Sequence, residues 1–231
     1  MKRQIIAMGG LLAPDTGNFK LERAIVEASG AQRPRICYVG TASGDEPDHR
    51  ARFFEAYSRF DVRLATLPFF RRTPADLRAF VSDFDVLHIG GGNTRSMLAV
   101  WREWGFVDVV REAYERGVLL CGSSAGAICW FEQGVTDSVA GELTALDCLG
   151  FLGGSNCPHY DGEKDRRPAY HRLVREGRIA SGIACDDGAG VHFVDEQLAR
   201  VVSGRPNARA YRVERASDGS VLETQLEPTP L

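Results

Sequence analysis

Short apolar runs alternate with stretches of helical spacing along most of this chain. Gln4–Met8 is an apolar run of strand length that ends at Gly9-Gly10. Phe19–Ala28 has helical spacing and stops at Ser29-Gly30. Arg35–Gly40, Val62–Leu67 and Asp85–Ile89 predict the next strands, and Asp48–Phe60 an amphipathic helix. Thr73-Pro74-Ala75-Asp76 predicts a helix start, with threonine as N-cap and proline at the first helical position. Ser96–Arg116 reads as one long helix and Val118–Cys121 as a fifth strand. This alternation predicts an α/β fold, a parallel sheet with helices on both faces.

Beyond the fifth strand the pattern weakens. Residues 133–158 are rich in Gly, Ser, Thr and Asp and read as loops with short strands. Arg167–Glu176 predicts a helix, and Ala189–Val194 and Leu198–Val202 predict strands. Ala210–Arg215 and Val221–Leu226 flank Asp218-Gly219, a signal for an antiparallel C-terminal hairpin. No repeat or linker interrupts the chain, so a single domain over residues 1–231 is expected.

Composition narrows the partners. The 231 residues carry a net charge of -3 with no block of like charge. Neither a nucleic acid nor a membrane surface is therefore an expected partner. No apolar run approaches membrane-spanning length, and Met1-Lys2-Arg3-Gln4 leads into a strand without a cleavage-site pattern. The six cysteines are scattered and form no C-x-x-C pair or zinc spacing. A reduced, cytoplasmic setting without metal or cofactor is the expectation.

The chemistry concentrates at Gly122-Ser123-Ser124-Ala125-Gly126, between the apolar runs 117–121 and 127–131. A G-x-S-x-G between strand and helix is the pattern of a nucleophile elbow. It makes Ser124 the candidate nucleophile and the Ala125 N–H a candidate oxyanion donor. Gly90-Gly91-Gly92-Asn93 follows the preceding strand, so both turns are expected at carboxyl ends of a parallel sheet, where ligands bind. An N–H of Gly91 or Gly92 is the candidate second donor. A phosphate-binding turn is disfavoured, because no Lys-Ser or Lys-Thr follows and G-x-G-x-x-G is absent.

A serine nucleophile needs a base. Of five histidines, His49 reads as solvated, His88 as a core or strand-end residue, His171 as part of a charged helix and His192 as a strand residue. His159 follows Pro158 in a loop and leads by elimination. Asp187, in Asp186-Asp187-Gly188, and Asp137 are the two candidates for the acid that orients it.

Together these pieces resemble the dipeptidase E and cyanophycinase family of serine peptidases. The resemblance runs from Ile5 to about Val194. It rests on His88-Ile89-Gly90-Gly91-Gly92-Asn93-Thr94, Gly122-Ser123-Ser124-Ala125-Gly126-Ala127 and Pro158-His159-Tyr160. It implies an α/β/α sandwich like that of class I glutamine amidotransferases. It also implies catalysis by Ser124 and His159, with Asp187 favoured over Asp137 as acid. The oxyanion hole would come from Gly91 or Gly92 with Ala125. The implied substrate is a small peptide, Asp-X dipeptides included, and the implied assembly a small homo-oligomer. Asn93 is a candidate substrate contact, as are Arg166 and Arg167, which could pair bidentately with a carboxylate. Two other classes stay open: an amidotransferase-like enzyme, and a non-catalytic ligand-binding protein on the same fold.

Overall fold

The computed structural model describes residues 2–10 and 17–229. Within them a seven-stranded sheet has the order β11-β10-β1-β5-β4-β2-β3. Its parallel centre comprises β1 (Gln4–Met8), β2 (Arg35–Val39), β3 (Arg63–Leu67), β4 (Val86–Ile89) and β5 (Leu119–Ser123). Two antiparallel strands, β10 (Ala189–Val194) and β11 (Gln197–Ser203), extend it beyond β1. Register sets Met8 beside Ser123 and Gly122 beside Ile89. The carboxyl ends of β1, β5 and β4 therefore form one continuous rim.

The alternation inside each strand explains why both faces are covered. Ile5 and Ala7 enter one core, and Ile6 and Met8 the other. The first core is filled from α4 (Thr94–Glu103) and α5 (Phe106–Glu115) by Met97, Leu98, Trp101, Phe106 and Val110. The second is filled from α1 (Lys20–Ala28) and α2 (Pro47–Tyr57) by Leu21, Ile25, Phe53 and Tyr57. A parallel sheet buried on both faces accounts for the near-continuous apolar runs in its strands.

A second sheet, absent from the sequence reading, has the order β13-β12-β9-β8-β6-β7. It contains β6 (Phe131–Thr136), β7 (Thr144–Asp147), β8 (Leu152–Cys157) and β9 (Gly182–Cys185). Its remaining strands are the expected hairpin, β12 (Ala210–Arg215) and β13 (Val221–Leu226). Helix α7 (Arg166–Arg175) covers one face through Tyr170, Leu173 and Val174. Phe131, Leu152, Ile183 and Ala210 join the first core. The short strands expected among the loops of residues 133–158 are β6, β7 and β8, and they pair into this one sheet. Their small residues serve close packing: a Cβ on Gly134 would lie 2.5 Å from Ile128 Cβ.

Two helix expectations are corrected. The helix after residue 73 is α3 (Leu77–Val81), capped by the Asp76 carboxylate, which accepts from Ala79 N–H at 2.9 Å, and not by Thr73. The stretch 96–116 divides into α4 and α5 at Gly105, whose φ of 62° turns the chain. That turn returns both Trp101 and Phe106 to one core, with ring centroids 5.1 Å apart. The helix after the G-x-S-x-G is a single turn, α6 (Ala125–Ile128), and β6 begins at Phe131.

Candidate active site

Ser124 is the joint between β5 and α6. Its backbone has φ 55° and ψ −116°, a conformation that side-chain-bearing residues rarely adopt. Holding it there costs about 1–3 kcal/mol, so the surroundings must over-determine it. They do so from three sides. Ser124 N–H donates to Met8 O at 3.2 Å, and Ser124 O accepts from Ala127 and Ile128 N–H at 2.9 and 3.1 Å. A Cβ on Gly122 would lie 2.5 Å from the carbonyl oxygens of both Gly126 and Ile89. A Cβ on Gly126 would press into the Ile89 carbonyl. Both glycines of the motif are therefore required by the close passage of this turn over β4.

The neighbouring turn, 90–93, is pinned by Gly90 N–H to Val39 O at 3.0 Å and by Asn93 N–H to Ala42 O at 2.8 Å. Gly92 has φ 134°, and a Cβ there would sit 2.5 Å from the Ala42 carbonyl carbon. A Cβ on Gly91 would stand 3.2 Å from Ser124 Cβ, which shows how closely the two turns meet. Among the described residues, the N–H groups of Gly91, Gly92 and Ala125 take no part in the loop and cap bonds that tie this junction. Asn93 is already engaged. Its Oδ1 caps α4 at Ser96 N–H, 2.9 Å away, and its Nδ2 donates to Ser138 O at 3.0 Å.

His159 follows β8 with φ 53°. Its N–H donates to Gly9 O at 3.2 Å, which ties the loop to the end of β1. Its Nδ1 lies 2.7 Å from Asp187 Oδ1, and both side chains are mostly buried. Asp187 comes from the turn between β9 and β10. The sequence had left Asp137 open as the partner of this histidine. Asp137 instead lies 3.4 Å from Arg166 Nη2, with 64% of its side chain exposed. Burial pushes the adjacent Asp186 up to about 6, although its carboxylate accepts from Arg209 N–H.

Ser124, His159, Gly92 and Asn93 line one cavity of about 370 Å³, closed by Asp137, Ser138, Glu163 and Arg166. Arg166 is almost wholly buried. Its Nε donates to Glu163 at 2.6 Å and its Nη1 to Val135 O at 3.1 Å, so only the long edge toward Asp137 remains. Arg167 does not line this cavity. It pairs with Glu223 and lies over the rings of Tyr160 and Tyr211.

Two residues of the site escaped the sequence reading. A Cβ on Gly10 would lie 2.5 Å from both Nδ1 and Cε1 of His159, and closer still to Asp187 Oδ1. A Cβ on Gly162 would overlap Asp187 Oδ2. The carboxylate is held between these two bare backbone positions. The Gly9-Gly10 pair at a strand end was the available signal.

The other histidines are placed elsewhere. His88 is buried against Tyr57 Oη at 3.1 Å, and burial pushes it down to about 4. His49 lies exposed on α2, His171 meets Glu223 at 2.8 Å, and His192 meets Gln4 at 3.0 Å. Cys121 and Cys129, on either side of the serine turn, are fully buried, and burial raises both thiols well above their ordinary range. Neither supplies the thiolate an amidotransferase-like reaction needs.

The family described as peptidase family S51 matches residues 5–201. The "Uncharacterized peptidase YgaJ" of Bacillus subtilis (strain 168) is 52% identical over 217 residues, covering 93% of each chain. The "Peptidase E" of Citrobacter koseri is 33% identical over 108 residues, 46% of each chain. Among solved structures, a protein described as peptidase E from Listeria monocytogenes EGD-e superposes with a TM-score of 0.65. It is 16% identical and covers 86% of this chain and 98% of its own. A peptidase from an acI-B1 Actinobacterium reaches 0.70 at 16% identity, covering 98% of this chain and 95% of its own. At these identities the two structures bear on the fold alone. No helix among the described residues is long and apolar enough to cross a membrane.

Proposed function

Since the chain belongs to peptidase family S51 and is a serine peptidase, we propose that it hydrolyses short peptides with Ser124, His159 and Asp187 as a triad. The observation that carries this reading is the shared cavity. A serine on a strained strand–helix turn faces the same space as a histidine whose Nδ1 is 2.7 Å from a carboxylate. With Nδ1–H donated to Asp187, Nε2 is the nitrogen left to accept the Ser124 proton.

As Ser124 Oγ bonds to the scissile carbonyl carbon, its proton passes to His159 Nε2. Charge gathers on the carbonyl oxygen, where the N–H groups of Ala125 and of Gly91 or Gly92 receive it. His159 then protonates the departing amine as the C–N bond breaks. Water repeats the sequence on the acyl-enzyme and restores Ser124. Loss of one oxyanion donor typically costs about 10²–10³ in rate.

An acidic side chain on the substrate, as Asp-X hydrolysis requires, would bind Arg166. Glu163 and Val135 O already occupy two of its edges, so the substrate must displace Asp137 from the third. The test is a dipeptide scan including Asp-X, beside labelling by a fluorophosphonate. Hydrolysis and labelling that both vanish in Ser124→Ala are the expected result. Peptidase activity that survives Ser124→Ala, in protein free of contaminating peptidase, would overturn the assignment.

A further inference from the structure

We propose that Arg205 and Asp161 are positioning residues that lock the acid and the base of this site to one another; the inference rests on reading His159 and Asp187 as a catalytic pair. The carboxylate of Asp187 is taken by His159, so the residue must be held by its backbone. Its N–H donates to Asp161 Oδ1 at 2.9 Å. Its carbonyl oxygen accepts from Arg205 Nε at 2.6 Å. Arg205 Nη2 closes the ring on Asp161 Oδ2. Three residues thus form a closed loop of hydrogen bonds, with Asp187 gripped at both peptide groups.

The ring does more than hold one turn. Asp161 stands two residues after His159 on the same loop, whereas Asp187 belongs to the turn between β9 and β10. The ring therefore joins the segment carrying the base to the segment carrying the acid. Both segments are also moored to the end of β1, through His159 N–H to Gly9 O and Gly188 N–H to Gly10 O at 2.9 Å. Only a guanidinium fits the third place. Its Nε and Nη2 lie in one rigid plane and reach a carbonyl and a carboxylate together, which an ammonium on a flexible stem does not reproduce. Space for the stem comes from Gly188, where a Cβ would lie 3.1 Å from Arg205 Cγ. Ser203 Oγ donates to the Arg205 carbonyl at 2.8 Å and fixes its backbone.

Charge points the same way. Asp161, Asp186 and Asp187 bring three carboxyl groups to one place, and Arg205 lies among them. Without it, Asp161 would stand uncompensated beside Asp186, and the ring would be reduced to the single bond from Asp187 N–H to Asp161. Arg205 lies just beyond residues 5–201, in the segment that follows β11.

The test needs no known substrate. The full chain is treated with a fluorophosphonate, and the second-order rate of Ser124 labelling is followed against pH. Wild type is compared with Arg205→Ala, Arg205→Lys, Asp161→Asn and Asp187→Asn, each checked by circular dichroism and thermal melting. A 1 Å misplacement of catalytic groups costs about 10²-fold. Arg205→Ala is expected to lose about that factor and to recover part of it with added ethylguanidinium. Its acidic limb should move to higher pH, because a cation is removed beside the acid that faces the imidazole. Arg205→Lys, which keeps the charge but not the fork, should stay slow, and Asp161→Asn should fall between. If Asp187→Asn abolishes labelling while folded Arg205→Ala stays within threefold of wild type with an unmoved limb, the positioning role is overturned. If Asp187→Asn itself labels at the wild-type rate, it is the underlying reading of the site that fails.

Discussion

Gly10→Ala perturbs the site by a single methyl group. Gly10 has no positive φ, so alanine is acceptable to its backbone and the effect is steric. The added Cβ would lie 2.5 Å from His159 Nδ1 and Cε1, and nearer to Asp187 Oδ1. Ordinary carbon contacts begin near 3.5 Å, so the imidazole and carboxylate must retreat by about 1 Å. Overpacking of this kind costs about 1–3 kcal/mol of stability. A 1 Å displacement of a catalytic pair costs about 10²-fold in rate. The assay is fluorophosphonate labelling of Ser124, with melting followed by circular dichroism to show that the variant is folded. Gly153→Ala is the matched control, because a Cβ there meets nothing within 4 Å, and it should label within twofold of wild type. A folded Gly10→Ala protein that also labels within threefold of wild type would refute the argument. The pair would then be free to move without consequence, or would take no part in activating the serine.

Four further outcomes follow from the same structure. Ser124→Gly should abolish labelling yet raise stability by about 1 kcal/mol, since relief of about 1–3 kcal/mol of backbone strain exceeds the entropy cost of glycine; Ser124→Ala should show no such gain in thermal melting. Asp137→Asn removes the exposed carboxylate facing Arg166 Nη2, so it should raise kcat/KM for Asp-X relative to Ala-X dipeptides; an unchanged ratio would remove Arg166 from substrate recognition. His88 is buried and lowered to about 4 from 6.5, so below pH 6.5 the unfolded chain binds the extra proton and stability falls as pH drops toward 4. The loss approaches about 3 kcal/mol. Asp186, raised to about 6, acts with the opposite sign, so the check compares urea unfolding of wild type and His88→Gln at pH 7 and 4.5. Finally, thiol reagents should leave Ser124 labelling of the native protein unchanged, because burial raises the thiols of Cys121 and Cys129; inhibition that tracks modification of either would reverse this.

Periodicity located most of the elements of the first sheet, because strands buried on both faces and helices with one apolar stripe leave strong local patterns. It also found the C-terminal hairpin, where Asp218-Gly219 marks the turn. Over 133–158 it gave short strands among loops but neither their bounds nor the sheet they form. There the second sheet is built from Gly and Ser at places where backbones pass close, and small residues carry no apolar period. It failed at 96–116, where two helices share one apolar spacing and only the φ of Gly105 divides them.

At the candidate site, local sequence singled out Ser124, because a sharp strand-to-helix turn writes its own requirement for flanking glycines. It also limited the base to a few histidines. The choice of acid was a tertiary matter. Asp137 and Asp187 are alike as residues in turns; the family resemblance favoured Asp187, but neither the residue type nor the distance along the chain shows which one meets His159. The fold decides it by running β10 antiparallel beside β1. That pairing carries the turn before β10 to the rim where β1 ends, and sets Asp187 2.7 Å from His159. The same packing explains Gly10 and Gly162. Each is glycine because a carboxylate from a distant segment fills the space a side chain would need, and sequence alone does not show what fills that space.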